Sequence, residues 1–167
     1  HGEWLNDRRL TQAEIDTIVA WVDGGAKEGD PKDMPAAPKF TDGWTIGHPD
    51  ETFSIAEQSV PATGVVPYKY LTVQTNLKED RWITDAEIRS TGRSAVHHVI
   101  VFIQDPKNPA SVDGNLLAGV APGEQPARYR PGFGKKIPAG AKLIFQMHYT
   151  PNGEATKDLT TIGLKFA

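Results

Sequence analysis

The sequence predicts a mainly β protein, an antiparallel β-sandwich or jelly roll with one short N-terminal helix. Three observations carry that prediction. The 16 glycines and 13 prolines among 167 residues interrupt the chain too often for a helix-rich architecture. Beyond residue 50 the apolar residues fall in short runs rich in Val, Ile, Thr, Phe and Tyr, types that fit a half-buried pleated surface. Those runs follow one another through turns, with no helical segment between them, which is the pattern of antiparallel sheets and not of βαβ units.

The helix comes first. Thr11-Gln12-Ala13-Glu14 has the form of a capping box, in which Thr11 accepts from the backbone of Glu14 and Glu14 reaches back. Ile15, Ile18, Val19 and Val22 then recur at helical spacing with Trp21 beside them, and Gly24-Gly25 supplies the stop. A helix of about a dozen residues is marginal alone, so its apolar stripe is expected to pack on the β region or on chain upstream. Residues 31–49, with Met34-Pro35, Pro38 and the turn Gly47-His48-Pro49-Asp50, read as linker coil. Strands are expected over residues 51–55, 68–75, 82–89, 94–103, 143–149 and 160–166. In the third of these Trp82, Ala86 and Ile88 are expected on one face. Residues 105–123 read as one long loop, and residues 129–140 as turn, because both are dense in Pro and Gly.

Charge and composition exclude several functions. The formal net charge of −3 comes from interspersed charges of both signs, with no basic stripe to neutralise a phosphate backbone, so nucleic acid is not an expected partner. No apolar run reaches the roughly 20 residues that span a bilayer. Cysteine is absent, which removes disulfides, iron–sulfur ligation, a covalent C-x-x-C-H haem and a thiolate copper site. Any metal must be held by His, Met or oxygen.

The chemistry-bearing stretch is 94–103, where His97 and His98 stand side by side in one of the most β-prone runs of the chain. A buried neutral imidazole carries one donor and one acceptor, and leaving either unpaired costs about 1–3 kcal/mol. A metal ion satisfies the acceptor nitrogens, and His148 in the run 143–149 offers a third. Successive strand residues point to opposite faces, so joint ligation by His97 and His98 requires a bulge, a strand end or a sheet edge. Otherwise one of the pair is simply buried and hydrogen-bonded while the other faces away. His148 shares its face with Ile144 and Gln146, whereas Met147 lies with Phe145 and Tyr149 and reads as core. His48 and Met34 read as turn and coil. Three neutral imidazoles suit copper or zinc, copper having the higher affinity, and three histidines with an open position also describe a catalytic zinc site.

The segment 70–102, ending in the His-His pair, together with Phe145-Gln146-Met147-His148-Tyr149, resembles the N-terminal catalytic domain of the copper type II, ascorbate-dependent monooxygenases, the family of peptidylglycine α-hydroxylating monooxygenase and dopamine β-monooxygenase. The resemblance covers about residues 50–167 and rests on the His-His pair plus the Gln-x-His-Tyr motif. It implies that His97, His98 and His148 bind one copper ion, used for electron transfer toward oxygen-dependent hydroxylation with an ascorbate-like reductant. The sequence departs from the animal enzymes in lacking their disulfide cysteines. The family's second copper site, two His and a Met in a second domain, has no matching segment.

Residues 10–30, Leu-Thr-x-x-Glu-Ile followed by Ala-Trp-Val-Asp-Gly-Gly, look like the last helix of a bacterial c-type cytochrome domain. The two likenesses together imply three parts: residues 1–30 the remnant of a haem domain, 31–49 linker, and 50–167 the copper domain. They imply a fragment of a larger periplasmic or extracellular bacterial oxidoreductase, with haem c upstream as an electron donor. A terminal His1 chelating copper through its amine would require a mature N-terminus, which a cytochrome-like helix just after it argues against. The competing expectation is a non-enzymatic binding module that presents exposed aromatics such as Trp44, Trp82 and Tyr129.

Overall fold

The structure, a computed structural model, describes residues 7, 9–39, 42–109 and 115–167. The chain divides into two compact units, His1–Phe40 and Thr41–Ala167. In the first, α1 (Gln12–Asp23) begins at the predicted capping box: the Thr11 side chain accepts from the Glu14 N–H at 3.3 Å, and the Thr11 N–H donates to Glu14 Oε2 at 2.7 Å. At its end the Trp21 indole N–H donates to the Lys27 carbonyl at 2.9 Å. Ile15, Ile18, Val19, Trp21 and Val22 are exposed, and the helix is capped at both ends. No helix among the described residues is long and apolar enough to cross a membrane.

The second unit is an antiparallel β-sandwich. Its strands are β1 (Glu51–Ser54), β2 (Gln58–Val60), β3 (Lys69–Gln74), β4 (Arg81–Ser90), β5 (Val96–Gln104), β6 (Leu116–Val120), β7 (Ala127–Arg128), β8 (Lys135–Ile137), β9 (Lys142–Tyr149), β10 (Thr156–Asp158) and β11 (Thr160–Phe166). One sheet runs β1-β11-β4-β7 with β8 also on β4, the other runs β3-β9-β5-β6, and β10 pairs with β2 as a ribbon. Inward residues of both sheets, among them Ile83, Ala86, Ile162 and Leu164 from the first and Val99, Val101, Leu143, Phe145 and Met147 from the second, make one apolar core.

Four expectations need correction here, the first being that 129–140 is turn, since β8 lies within it and pairs with β4. The stretch 105–123 is not wholly loop, since β6 lies within it and pairs with β5; its Leu-Leu-Ala-Gly-Val sequence lacks the alternation that marks a strand. Trp82 does not share a face with Ala86 and Ile88. Asp85 pairs with Lys165 and Ile83 with Phe166, so Thr84 is an extra residue that reverses the side-chain phase, burying Ile83 and leaving Trp82 53 % exposed. Trp44 and Tyr129 are half-buried and not exposed. Trp44 lies over Gly163, where a Cβ would stand 2.9 Å from its ring, and beneath Arg89.

A buried polar knot ties the end of β9 to the turn entering β5. Asp158 is fully buried; it accepts from the Tyr149 hydroxyl at 2.9 Å, the Thr160 hydroxyl at 2.8 Å and the Gly92 N–H at 2.9 Å. Gly92 is required by close approach, because a Cβ there would meet the Asp158 Cβ at 2.8 Å and the Lys157 carbonyl at 3.0 Å. The Gly92 carbonyl accepts from the N–H groups of Ala95 and Val96, and the Ala95 carbonyl accepts from Thr150 at 2.8 Å. The knot therefore sets how β5 starts against β9.

Candidate metal centre

The centre is built on the pairing of β5 with β9. In β9 Leu143, Phe145, Met147 and Tyr149 are buried while Ile144, Gln146 and His148 are not. Alternation from Val99, Val101 and Ile103, which are buried, would send His97 to the same core side. The register breaks that rule. Val96 pairs with Tyr149 and the very next pair is His98 with His148, so His97 is an extra residue opposite no partner. This bulge gives one residue on β9 two histidines to face, and it turns His97 out beside His98. The condition that joint ligation imposes on a strand is met by the backbone itself.

The nitrogens that approach one another are the Nδ1 atoms: His97 to His98 at 3.0 Å and His148 to His98 at 3.4 Å. The ring centroids are 4.8 to 5.3 Å apart. Each ring nitrogen has a single in-plane site, so neutral imidazoles cannot satisfy all three with good mutual hydrogen bonds, whereas one cation accepts all three lone pairs. With metal–nitrogen bonds of about 2.0–2.1 Å and angles of about 90–120°, paired donors stand about 2.9–3.6 Å apart, which includes both observed separations. All the donor atoms of the cluster lie within 4.8 Å of one another. Two ligands of one ion cannot be more than about 4.2 Å apart at these bond lengths, so any closure still required falls to His97, the exposed member of the three. These three residues could therefore hold a metal ion. Met147 is fully buried, on the core side as the sequence indicated.

Burial, and then the neighbouring His148 and His97, hold the His98 pKa below its ordinary 6.5. The neutral, ligating form is favoured, and fewer protons have to be displaced by metal. With the folded-state pKa lowered, the unfolded chain binds more protons just below pH 6.5. The metal-free fold accordingly loses some stability as pH falls through the ordinary histidine range, and levels off below the depressed pKa. Metal affinity is expected to fall as the solution is made acidic, because protons compete with the metal for imidazole nitrogen. Isothermal titration across pH 5–8 checks this; an affinity that is flat down to pH 5 would point to non-histidine donors.

One neighbour escaped the sequence reading. Tyr68, just before β3, stacks on His148 with centroids 4.5 Å apart and planes 17° apart. The available signal was the register: Lys69 pairs with Met147, so the preceding residue falls opposite His148. That pairing is not readable from local pattern. Comparison with protein-family models, curated proteins and solved structures gives no match for this chain.

Proposed function

We propose that residues 50–167 form the copper-binding domain of a monooxygenase-like oxidoreductase, holding one copper through His97, His98 and His148. The observation that carries the reading is the bulge at His97, which places two adjacent strand histidines on one face opposite a third. The His-His pair and the Gln-x-His-Tyr motif, as noted above, add the resemblance to the ascorbate-dependent monooxygenases. Copper bound there supplies one-electron redox chemistry, serving oxygen-dependent hydroxylation elsewhere in a larger extracytoplasmic protein, with ascorbate or an upstream haem c domain as reductant.

The protein's part is to keep the donors still. His98 and His148 sit on paired strands over a floor of fully buried Val99 and Met147, and a site on rigid elements reorganises little between oxidation states. Three neutral nitrogens tolerate both Cu(I) and Cu(II). Zinc fits the same donor set, so competition between the two metals belongs in the test. The binding-module reading loses support, since two of its three aromatics are half-buried.

The chain, loaded with copper, is expected to lose its Cu(II) paramagnetic signal on adding ascorbate and to hydroxylate no substrate, because the resemblance assigns oxygen chemistry to a second copper that His97, His98 and His148 do not hold. Failure of ascorbate to change the signal, or a strong preference for zinc in direct competition, would overturn the redox reading. Substrate-coupled hydroxylation by this chain would overturn its assignment to electron transfer alone.

A further inference from the structure

We propose that Tyr68 is a positioning residue of the metal centre: its ring holds the plane of the His148 imidazole so that Nδ1 faces the shared ligand point. The inference rests on the three-histidine reading above and adds a residue that neither the motif nor the donor set contains.

The placement follows from pairing. Antiparallel residues directly opposite one another carry Cβ atoms about 4.5–5.5 Å apart. The β3–β9 register sets Lys69 on Met147, and one step earlier brings Tyr68 to His148. On the other side of β9, His148 pairs with His98 of β5. Tyr68, His148 and His98 thus form one row across three strands, with Tyr68 also 5.7 Å from the His98 ring.

The need for such a residue lies in what the imidazoles lack. A ligating histidine ordinarily donates its other ring N–H to a carboxylate or carbonyl, which fixes its tautomer and plane. Among the described residues the three imidazoles hydrogen-bond only with one another. The χ2 torsion of histidine is broad, so a free His148 ring can tilt out of the plane that aims Nδ1 at the ion. A phenol ring lying nearly parallel against one face of the imidazole restrains that tilt. Tyr68 is also 49 % exposed, so core packing does not account for its position.

The experiment compares the full chain with Tyr68→Ala, Tyr68→Leu and Tyr68→Phe, using copper(II) as the probe. The readouts are affinity by titration, the Cu(II) paramagnetic resonance spectrum, and thermal unfolding of the metal-free forms. Ala and Leu are expected to bind about tenfold more weakly, the low end of the 10–100-fold loss usual for groups that orient ligands, and to show a broadened or second Cu(II) spectrum. Phe keeps the stack and is expected to restore both, since the ring and not the hydroxyl does the holding. Metal-free unfolding should be nearly unchanged throughout. Wild-type affinity and spectrum in the Ala and Leu forms would overturn the role of Tyr68 while leaving the three-histidine site standing. A Phe variant as impaired as Ala would overturn it too, by assigning the effect to the hydroxyl. Absence of copper binding in the unmodified chain would defeat both readings.

Discussion

Replacing His148 with alanine is expected to abolish stoichiometric copper binding and leave the sandwich folded. The unmodified chain should retain close to one copper after desalting and His148→Ala only background. Loss of affinity should exceed about 100-fold, because groups that merely orient a ligand already cost 10–100-fold. The effect is large because His148 is the only donor from β9: without it the two adjacent histidines of β5 remain as a flexible bidentate pair at a bulge. Folding should suffer little, since His148 is half-buried on the outer face while the core side of β9 is filled by Phe145, Met147 and Tyr149. Unfolding of the metal-free variant is therefore expected within about 1 kcal/mol of the parent. Copper retained at full stoichiometry in His148→Ala would remove the third ligand from the account.

The second large effect is on stability. Asp158→Ala is expected to lower the unfolding free energy by about 2–5 kcal/mol, because it strands two buried donors, each costing about 1–3 kcal/mol. Those donors are the Tyr149 hydroxyl and the Gly92 N–H, while the Thr160 hydroxyl can turn to Ser90 at 2.6 Å. Domains of this size are stable by only about 5–15 kcal/mol, so the variant should be close to unfolding. Tyr149 remains a donor at any working pH, since burial, then the charge of Asp158 and the hydrogen bond to it, hold its pKa well above the ordinary phenol value. Asp158→Asn should cost nearly as much, because its amide presents a donor where the carboxylate accepted. Urea denaturation measures both. A loss below 1 kcal/mol in Asp158→Ala would mean that the knot does not fix the β9 end against the β5 entry.

What could be read in advance divides by the range of the interaction. The helix was legible because Thr11 and Glu14 cap it within one turn. The long strands β4, β5, β9 and β11 were legible because alternation or a β-branched run persists through each. Of the short strands only β1 was, from the run 51–55. β2 and β10 have three residues each and pair only with one another; β7 and β8 are brief additions to β4 in segments broken by Pro131, Gly132 and Gly134. The phase reversals at Thr84 and His97 come from register and leave no local trace. The three histidines could still be named, and the bulge they required could be stated as a condition, because strand geometry forbids the alternative. Tyr68 could not be named, since its role depends on which strand lies beside β9.

The most direct test is X-ray absorption spectroscopy at the copper edge of the stoichiometrically loaded chain, because multiple scattering from imidazole rings counts the histidines on the metal. Three imidazole nitrogens are expected at about 2.0–2.1 Å in the loaded chain, with one imidazole lost in His97→Ala, which keeps the His98–His148 pair across the two strands. A spectrum fitted by two or fewer imidazoles, unchanged in His97→Ala, would contradict convergence of His97, His98 and His148 on one ion.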